Sequence, residues 1–419
     1  VTGDTMIRSV FNKTSVAICL GLSTGGAFAA AETPSVEEMW RIIQAQQQEI
    51  ETLKAEAAKR DNQFLVVEER LDDTADAVEM VADMAPAVGN AGGNTTIGGY
   101  GEMHYNNLEE QNSDGTKKEI DYHRFVLYLG HEFNNRTRMF SEIELEHSLA
   151  GDGAPGEIEL EQAYIEHDYI DRHSARAGLF LVPVGILNET HEPPTFYGVE
   201  RNPIEKNIIP ATWWEGGLAA TGRFGSGFSY DAAVTSGLGL EDGEFTIRDG
   251  RQKLAKAKAD ALAYTGRLKY TGMSGLELAM TAQYQEDLYQ DRLAETIDAT
   301  LLEAHAIWQV GDFGLRALYA RWDIDGAINN IQQGADEQSG WYVEPSWRIN
   351  DSWGLFARYN DWNNLAGANV DGGISQWDVG VNYWLHPNVV FKFDYQVQEA
   401  EAKDGKEYDG FNLGVGFNF

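Results

Sequence analysis

The chain has 419 residues, with 66 Asp and Glu against 32 Lys and Arg, a formal charge of −34. That acidity argues against nucleic acid, whose phosphates are held by clustered Lys and Arg. The single cysteine excludes a disulfide scaffold and any CxxC metal site. Mean hydropathy of −0.39, with no apolar run of about 18 residues beyond the N-terminus, excludes a bundle of membrane-spanning helices.

Residues 1–31 read as a secretory signal peptide. Met6 is the expected start, Arg8 and Lys13 form a positive stretch, Val16–Leu22 is apolar, and Ala27, Ala29, Ala30 and Ala31 supply a small-residue cleavage site. Cys19 falls inside this segment behind Ile18, which is too large for a lipidation motif, so the mature chain is expected to hold no cysteine.

Residues 32–83 read as a periplasmic α-helical coiled coil. Steps of seven from Val36 give Ile43, Ile50, Ala57, Phe64, Leu71 and Val78, all apolar. The companion positions are Met39, Gln46, Leu53, Arg60, Val67, Thr74 and Val81. A hydrophobic repeat of seven sustained this long keeps one seam turned toward partner helices. Residues 84–94, rich in Gly, Ala, Pro and Asn, read as a flexible linker.

Composition changes beyond the linker, where all 18 tyrosines lie, and the helical pattern stops. Val389, Phe391, Phe393, Tyr395 and Val397 alternate with Lys392, Asp394 and Gln396, the period-two signature of a strand. The same alternation predicts sixteen strands, near 95–107, 118–133, 138–148, 157–170, 174–182, 213–224, 228–237, 259–270, 276–288, 297–309, 313–324, 338–349, 353–363, 373–385, 389–400 and 409–419. Short connections alternate with long ones. An even strand count of this kind is the plan of an all-β transmembrane barrel, here with about sixteen antiparallel strands behind an α-helical coiled coil. Strands span lipid only as a closed barrel, because every backbone group must be paired internally. The last strand alternates Phe411, Leu413, Val415 and Phe417 up to a terminal Phe419, the kind of end read by the barrel-insertion machinery.

One connection breaks the rhythm. Residues 183–212 carry five of the ten prolines together with Ile186, Leu187, Phe196, Tyr197, Ile208 and Ile209. A loop this long is functional or disordered, and this one is too apolar to stay in water. The lumen wall is the protected surface open to it. The run from Leu179 to Gly217, LFLVPVGILNETHEPPTFYGVERNPIEKNIIPATWWEGG, and EIELEQAYIEH at 157–167 resemble the phosphate-selective porin O and P family. The resemblance extends from about Thr95 to Phe419, and the coiled coil is an addition to it. It implies an outer-membrane homotrimer of a Gram-negative bacterium, embedded in lipid and lipopolysaccharide, whose inward loop narrows a pore for passive diffusion.

Carried onto this chain, the resemblance makes Glu189, His191, Glu192, Tyr197, Glu200, Arg201, Glu205 and Lys206 candidate constriction residues. Strand parity adds Arg124, Arg176, Arg223, Arg267 and Arg358 as pore-lining cations. It also turns inward the acids Glu142, Glu144, Glu146, Glu215, Asp231, Glu277, Glu344, Asp378 and Asp394. Over 95–419 there are 25 basic and 51 acidic residues, a difference of −26. Acidic rings favour cations, so the expectation is a general or weakly selective porin for small ions and hydrophilic solutes, with phosphate and other anions the narrower reading.

No HExxH, GxSxG, Walker or dinucleotide-binding pattern appears, so no catalytic residue, cofactor or metal ligand is expected. His191 and Glu192, placed in the constriction, are open to contact with solute or a metal, but the first reading is that they fix the loop by hydrogen bonds. The rival class is a barrel serving mainly as an anchor, tied to the cell wall through the coiled coil.

Overall fold

A computed structural model describes residues 94–241, 245–290, 296–325, 335–368, 370–403 and 405–419. The signal peptide, the heptads and all of the linker but Asn94 lie outside the described residues.

Sixteen strands follow in order. The first half comprises β1 (Thr95–Glu110), β2 (Thr116–Asn134), β3 (Thr137–Glu146), β4 (Ile158–Ile170), β5 (His173–Leu181), β6 (Trp214–Arg223), β7 (Phe228–Thr235) and β8 (Ala263–Met273). The second half comprises β9 (Leu276–Gln285), β10 (Asp298–Val310), β11 (Phe313–Asp325), β12 (Glu337–Arg348), β13 (Trp353–Asn363), β14 (Gly373–His386), β15 (Val389–Ala400) and β16 (Tyr408–Asn418). Each pairs antiparallel with its sequence neighbours, and β1 pairs with β16 to close the barrel. Closure leaves no strand edge unpaired. Gly99 and Phe419 complete the seam by exchanging backbone hydrogen bonds of 2.9 and 2.8 Å.

The alternation sorts side chains inside out. In β15, Phe391, Phe393 and Tyr395 are exposed, whereas Lys392, Asp394 and Gln396 are buried. In β9, Leu278, Met280 and Tyr284 face outward while Thr281 and Gln283 are buried. An apolar outer face with a polar interior suits a wall whose solvent is lipid on one side only. Tight turns close one end, as at 135–136, 225–227 and 311–312. Left-handed backbone at Arg172, Ser226, Gly275 and Gly311 shapes them. Around that end stand the exposed rings of Phe133, Tyr169, Phe224, Phe228, Trp308, Phe313, Trp347 and Trp353. Farther along the wall Trp341, Tyr359 and Trp377 form a second aromatic row, with ring centroids 5.3 and 4.9 Å apart. Aromatic rings concentrate at membrane–water boundaries.

Several strand ends differ by a few residues from the sequence reading, as where β1 runs on to Glu110 and β8 to Met273, and two of the differences share one reason. β8 begins at Ala263 rather than 259, and β9 stops at Gln285 rather than 288. Ahead of β8, the Ala261 amide donates to Gln290 Oε1 at 2.9 Å. Beyond β9, Gln285 Nε2 donates to Leu238 O at 2.6 Å. Side-chain amides replace the ladder there, so the connections turn into the barrel instead of extending the wall.

Candidate functional site

The segment 183–212 folds into the lumen, held by an apolar half and a polar half. Val184, Ile186, Leu187, Ile204, Ile208 and Ile209 are buried in one cluster with Leu301 of β10, Leu318 and Trp322 of β11, Tyr342 of β12 and Trp362 of β13. Full burial of each such side chain stabilises by about 1.5–3 kcal/mol, so this wall grips the loop firmly. Trp322 adds direction, since its Nε1 donates to Ile208 O at 2.9 Å.

Glu205 ties the loop to itself. It sits in the single helical turn Ile204–Asn207, and its Oε1 accepts from the amides of Ile186 and Leu187, both at 2.6 Å. Its Oε2 accepts from Asn202 Nδ2 at 2.8 Å and from Tyr342 Oη at 3.3 Å. Burial pushes this carboxyl up from its ordinary range, although the amides of Leu187 and Ile186 and the Asn202 side chain oppose the shift. Gly185 makes the approach possible. Its φ is +72°, and a Cβ there would stand 2.5 Å from Glu205 Oε1.

The pore-lining cations of the sequence reading have mostly found partners. Arg124 donates to Glu102 at 2.5 Å and to the carbonyl of His191 at 3.0 Å. Arg358 donates to Asp378 and Glu344, each at 3.1 Å, and reaches the carbonyls of Tyr197 and Glu200 at 3.5 Å. Arg267 bridges Asp231 to Glu189 of the loop. Arg176 bonds Glu166 and lies 5.2 Å over the Tyr164 ring, while Arg223 ends β6 beside the tight turns. Thus Arg124, Arg267 and Arg358 anchor the loop by ion pairs and carbonyl contacts. Strand parity gave their face but had no means of giving this role.

Wall acids and amides hold the loop as well. The Val199 amide donates to Asp394 at 2.6 Å, and Asn382 donates to Phe196 O at 3.1 Å. Glu200 lies 3.2 Å from His104 Nδ1 and accepts from Asn106 at 3.1 Å. Tyr197 packs against Phe356 and Trp384 at 5.5 and 5.6 Å. His191 Nδ1 meets Asn188 O at 3.1 Å, and Tyr128 Oη reaches Glu192 at 3.5 Å. Burial, reinforced by the charges of Arg201 and Arg124, pushes the His191 imidazole down to about 3, so the ring is neutral.

Opposite the apolar wall in the strand order, a cavity of about 340 Å³ remains between the loop and β1–β4. The wall offers it Glu102, His104, His123, Arg124, Glu144, Glu146, Glu159 and Glu161. Of the eight expected constriction residues, Glu200, Arg201, Glu205 and Lys206 line it, whereas Glu189, His191, Glu192 and Tyr197 do not. Three cations missing from the sequence reading complete it: Arg248, Arg251 and Lys253. They come from the connection between β7 and β8, which also folds inward, burying Leu238, Leu240 and Ile247 beside the first loop. Those three apolar residues were the available signal in the sequence.

The charges are segregated. Five carboxylates (Glu102, Glu144, Glu146, Glu159, Glu161) and Arg124 line it from the strands, and Glu200, Glu205 and five cations (Arg201, Lys206, Arg248, Arg251, Lys253) line it from the two inward segments. The local balance is therefore near neutral, unlike the chain as a whole. Lys253 bonds Glu157 at 2.7 Å and also Glu159. Burial works to lower the Lys253 ammonium, but these two acids hold it above its ordinary value. Among the described residues Arg201, Lys206, Arg248 and Arg251 have no carboxylate at ion-pair distance. Burial and the nearby Arg248 push Arg251 down to about 10.

Residues 213–403 match the Gram-negative porin family. An uncharacterised protein of Aquifex aeolicus is 29% identical over 356 residues, covering 77% of this chain and 80% of its own length. The anion-selective porin of Comamonas acidovorans has a similar fold, with TM-score 0.57 and 11% identity over 78% of this chain and 99% of the porin. The outer membrane channel DcaP of Acinetobacter baumannii gives TM-score 0.56 and 12% identity over 80% of this chain and all of the channel, 100%. The family match and the barrel together support an outer-membrane porin.

Proposed function

We propose that this protein is a water-filled channel for passive diffusion of small ions and hydrophilic solutes, narrowed by the inward loop. The observation that carries this reading is the charged cavity left between loop and wall. Apolar packing fixes the loop to β10–β13, and the opposite side stays polar and open. Solute moving through it passes between the acids of β3 and β4 and the cations Arg201, Lys206, Arg248 and Arg251. Charge of both signs across a narrow passage orients dipolar solutes and selects weakly by sign.

Anions are expected to follow the four cations that lack carboxylate partners, and cations the glutamates opposite. This supports weak selectivity over strict phosphate specificity, and the trimer implied by the family resemblance suits such a channel. Conductance across a planar bilayer is the test, with a salt gradient for sign and phosphate added for competition. Ohmic conductance with a small reversal potential is expected. Absence of conductance in the folded protein overturns the channel, and a current strongly anionic and saturated by phosphate overturns weak selectivity.

A further inference from the structure

Beside this cavity, which Glu161 alone of the three residues lines, three buried acceptor atoms lie close together. They are Glu142 Oε1 of β3, Glu161 Oε2 of β4 and His191 Nε2 of the inward loop, and no hydrogen-bond donor reaches any of them. The residues are 1%, 1% and 2% exposed. Their ligand atoms lie within 4.8 Å of one another, with His191 Nε2 3.6 Å from Glu142 Oε1. Lone pairs facing one another in a buried place repel, and either a shared proton or a metal cation between them relieves the repulsion.

The surroundings orient each group for that purpose. Nδ1 of His191 donates to Asn188 O at 3.1 Å, which leaves Nε2 as a bare lone pair. Metal-bound histidines are commonly fixed by such a backbone carbonyl. Gln162 holds the other oxygen of Glu142 at 2.7 Å. Between β3 and β4 the register steps from Glu142–Gln162 to Ile143–Leu160, so Glu161 is the extra residue of a bulge. A bulge re-aims the side chain it carries, and this one turns Glu161 toward Glu142 and His191. Arg124, which bonds the His191 backbone, is already paired with Glu102, and Arg201 is hydrogen-bonded to Thr212 at 2.9 Å rather than to any of the three. Glu161 also borders the cavity, which supplies an entry path from the lumen.

We infer that Glu142, Glu161 and His191 form a divalent-metal site that staples the inward loop to the barrel wall. One imidazole and two carboxylates suit Zn²⁺ or a similar transition metal better than Ca²⁺ or Mg²⁺. Tetrahedral zinc with bonds of about 2.0 Å sets its ligand atoms about 3.3 Å apart, close to the separation of His191 and Glu142. Water or a neighbouring carboxylate completes the shell. The sequence showed no metal spacing because its three ligands lie on three elements and meet only when the loop folds inward.

The test uses the full-length folded protein in detergent, stripped with chelator and titrated with Zn²⁺, with metal content measured after dialysis. Glu161→Gln and His191→Ala are compared with His147→Ala, which disrupts the separate cluster of Asp121, His123 and His147. One tight zinc per chain is expected, weakened by more than about a hundredfold in E161Q and H191A, beyond what outer-shell changes cost. H147A should retain it, and Gln162→Leu should weaken it by about 10–100-fold. Barrel folding of each variant is checked by its heat-sensitive gel migration. Cobalt substitution gives an independent signal, visible absorption that disappears in H191A. No saturable zinc in the wild type, or zinc that survives E161Q and H191A, or zinc lost only in H147A, overturns the proposal.

Discussion

Replacing Glu205 by alanine loosens the inward loop and takes away a single hydrogen bond to the barrel wall, the one from Tyr342. The carboxylate accepts two backbone amides at 2.6 Å and two side-chain donors. Hydrogen bonds to a charged group contribute about 1.5–3 kcal/mol each, so the two amide bonds alone amount to about 3–6 kcal/mol. Removing the buried charge also removes its desolvation cost, which places the net effect near the lower bound, about 3 kcal/mol. At 1.4 kcal/mol per tenfold, that raises the fraction of released loop roughly a hundredfold. Hydrogen exchange at Ile186 and Leu187 should accelerate by that factor, and cleavage within 183–212 by added protease should rise with it. Glu205→Gln is expected to fall between. Its carbonyl can still accept the two amides, but its NH₂ then faces the Asn202 donor, and Asn202 cannot flip because its oxygen accepts the Glu205 amide at 2.9 Å. Exchange within tenfold of wild type in E205A, with the barrel folded, would refute this account of how the loop is held.

Four further outcomes are expected. Neutralising Arg201 and Arg251 together should move the reversal potential toward cation preference, since neither has a carboxylate to compensate; an unchanged potential would remove the cavity from the conduction path. Trp322→Ala empties a fully buried site and breaks the bond to Ile208 O, at about 3–5 kcal/mol, measured as faster exchange at the Ile208 and Ile209 amides. Lys253 holds the Glu157 carboxyl below its ordinary value, so that contribution is present above the unfolded carboxylate pKa of about 4.3 and is lost as pH falls through the lower folded value. Cleavage within 236–262 by an acid-active protease should therefore rise in that acidic range, and Lys253→Met should abolish the pH dependence. Deleting Phe419 removes both backbone bonds to Gly99 at the seam and should lower the yield of folded, heat-resistant barrel.

The barrel was legible because its signal is local. Period-two alternation, as in Val389–Val397, depends only on which face of a strand meets lipid, and sixteen repetitions leave no soluble alternative of comparable fit. The inward course of 183–212 was also readable, because Ile186, Leu187, Ile208 and Ile209 needed cover that only the lumen wall offered. Side-chain direction at a strand position followed from parity, and Arg124, Arg267 and Arg358 do point inward.

Tertiary structure alone decided what those inward residues touch. Arg358 meets Glu344, Asp378 and two loop carbonyls because strands β12, β13 and β14 and the loop converge on it, contacts spread over more than a hundred residues of chain. Arg248, Arg251 and Lys253 reach the cavity only because a second connection turns inward, and the bulge at Glu161 breaks the parity that sequence counting assumes. The acidity of −34 therefore excluded nucleic acid but did not describe the passage, where loops bring cations against a glutamate wall. Alternation along a strand is set by nearest neighbours, whereas the charge of a lumen is set by which distant segments fold into it.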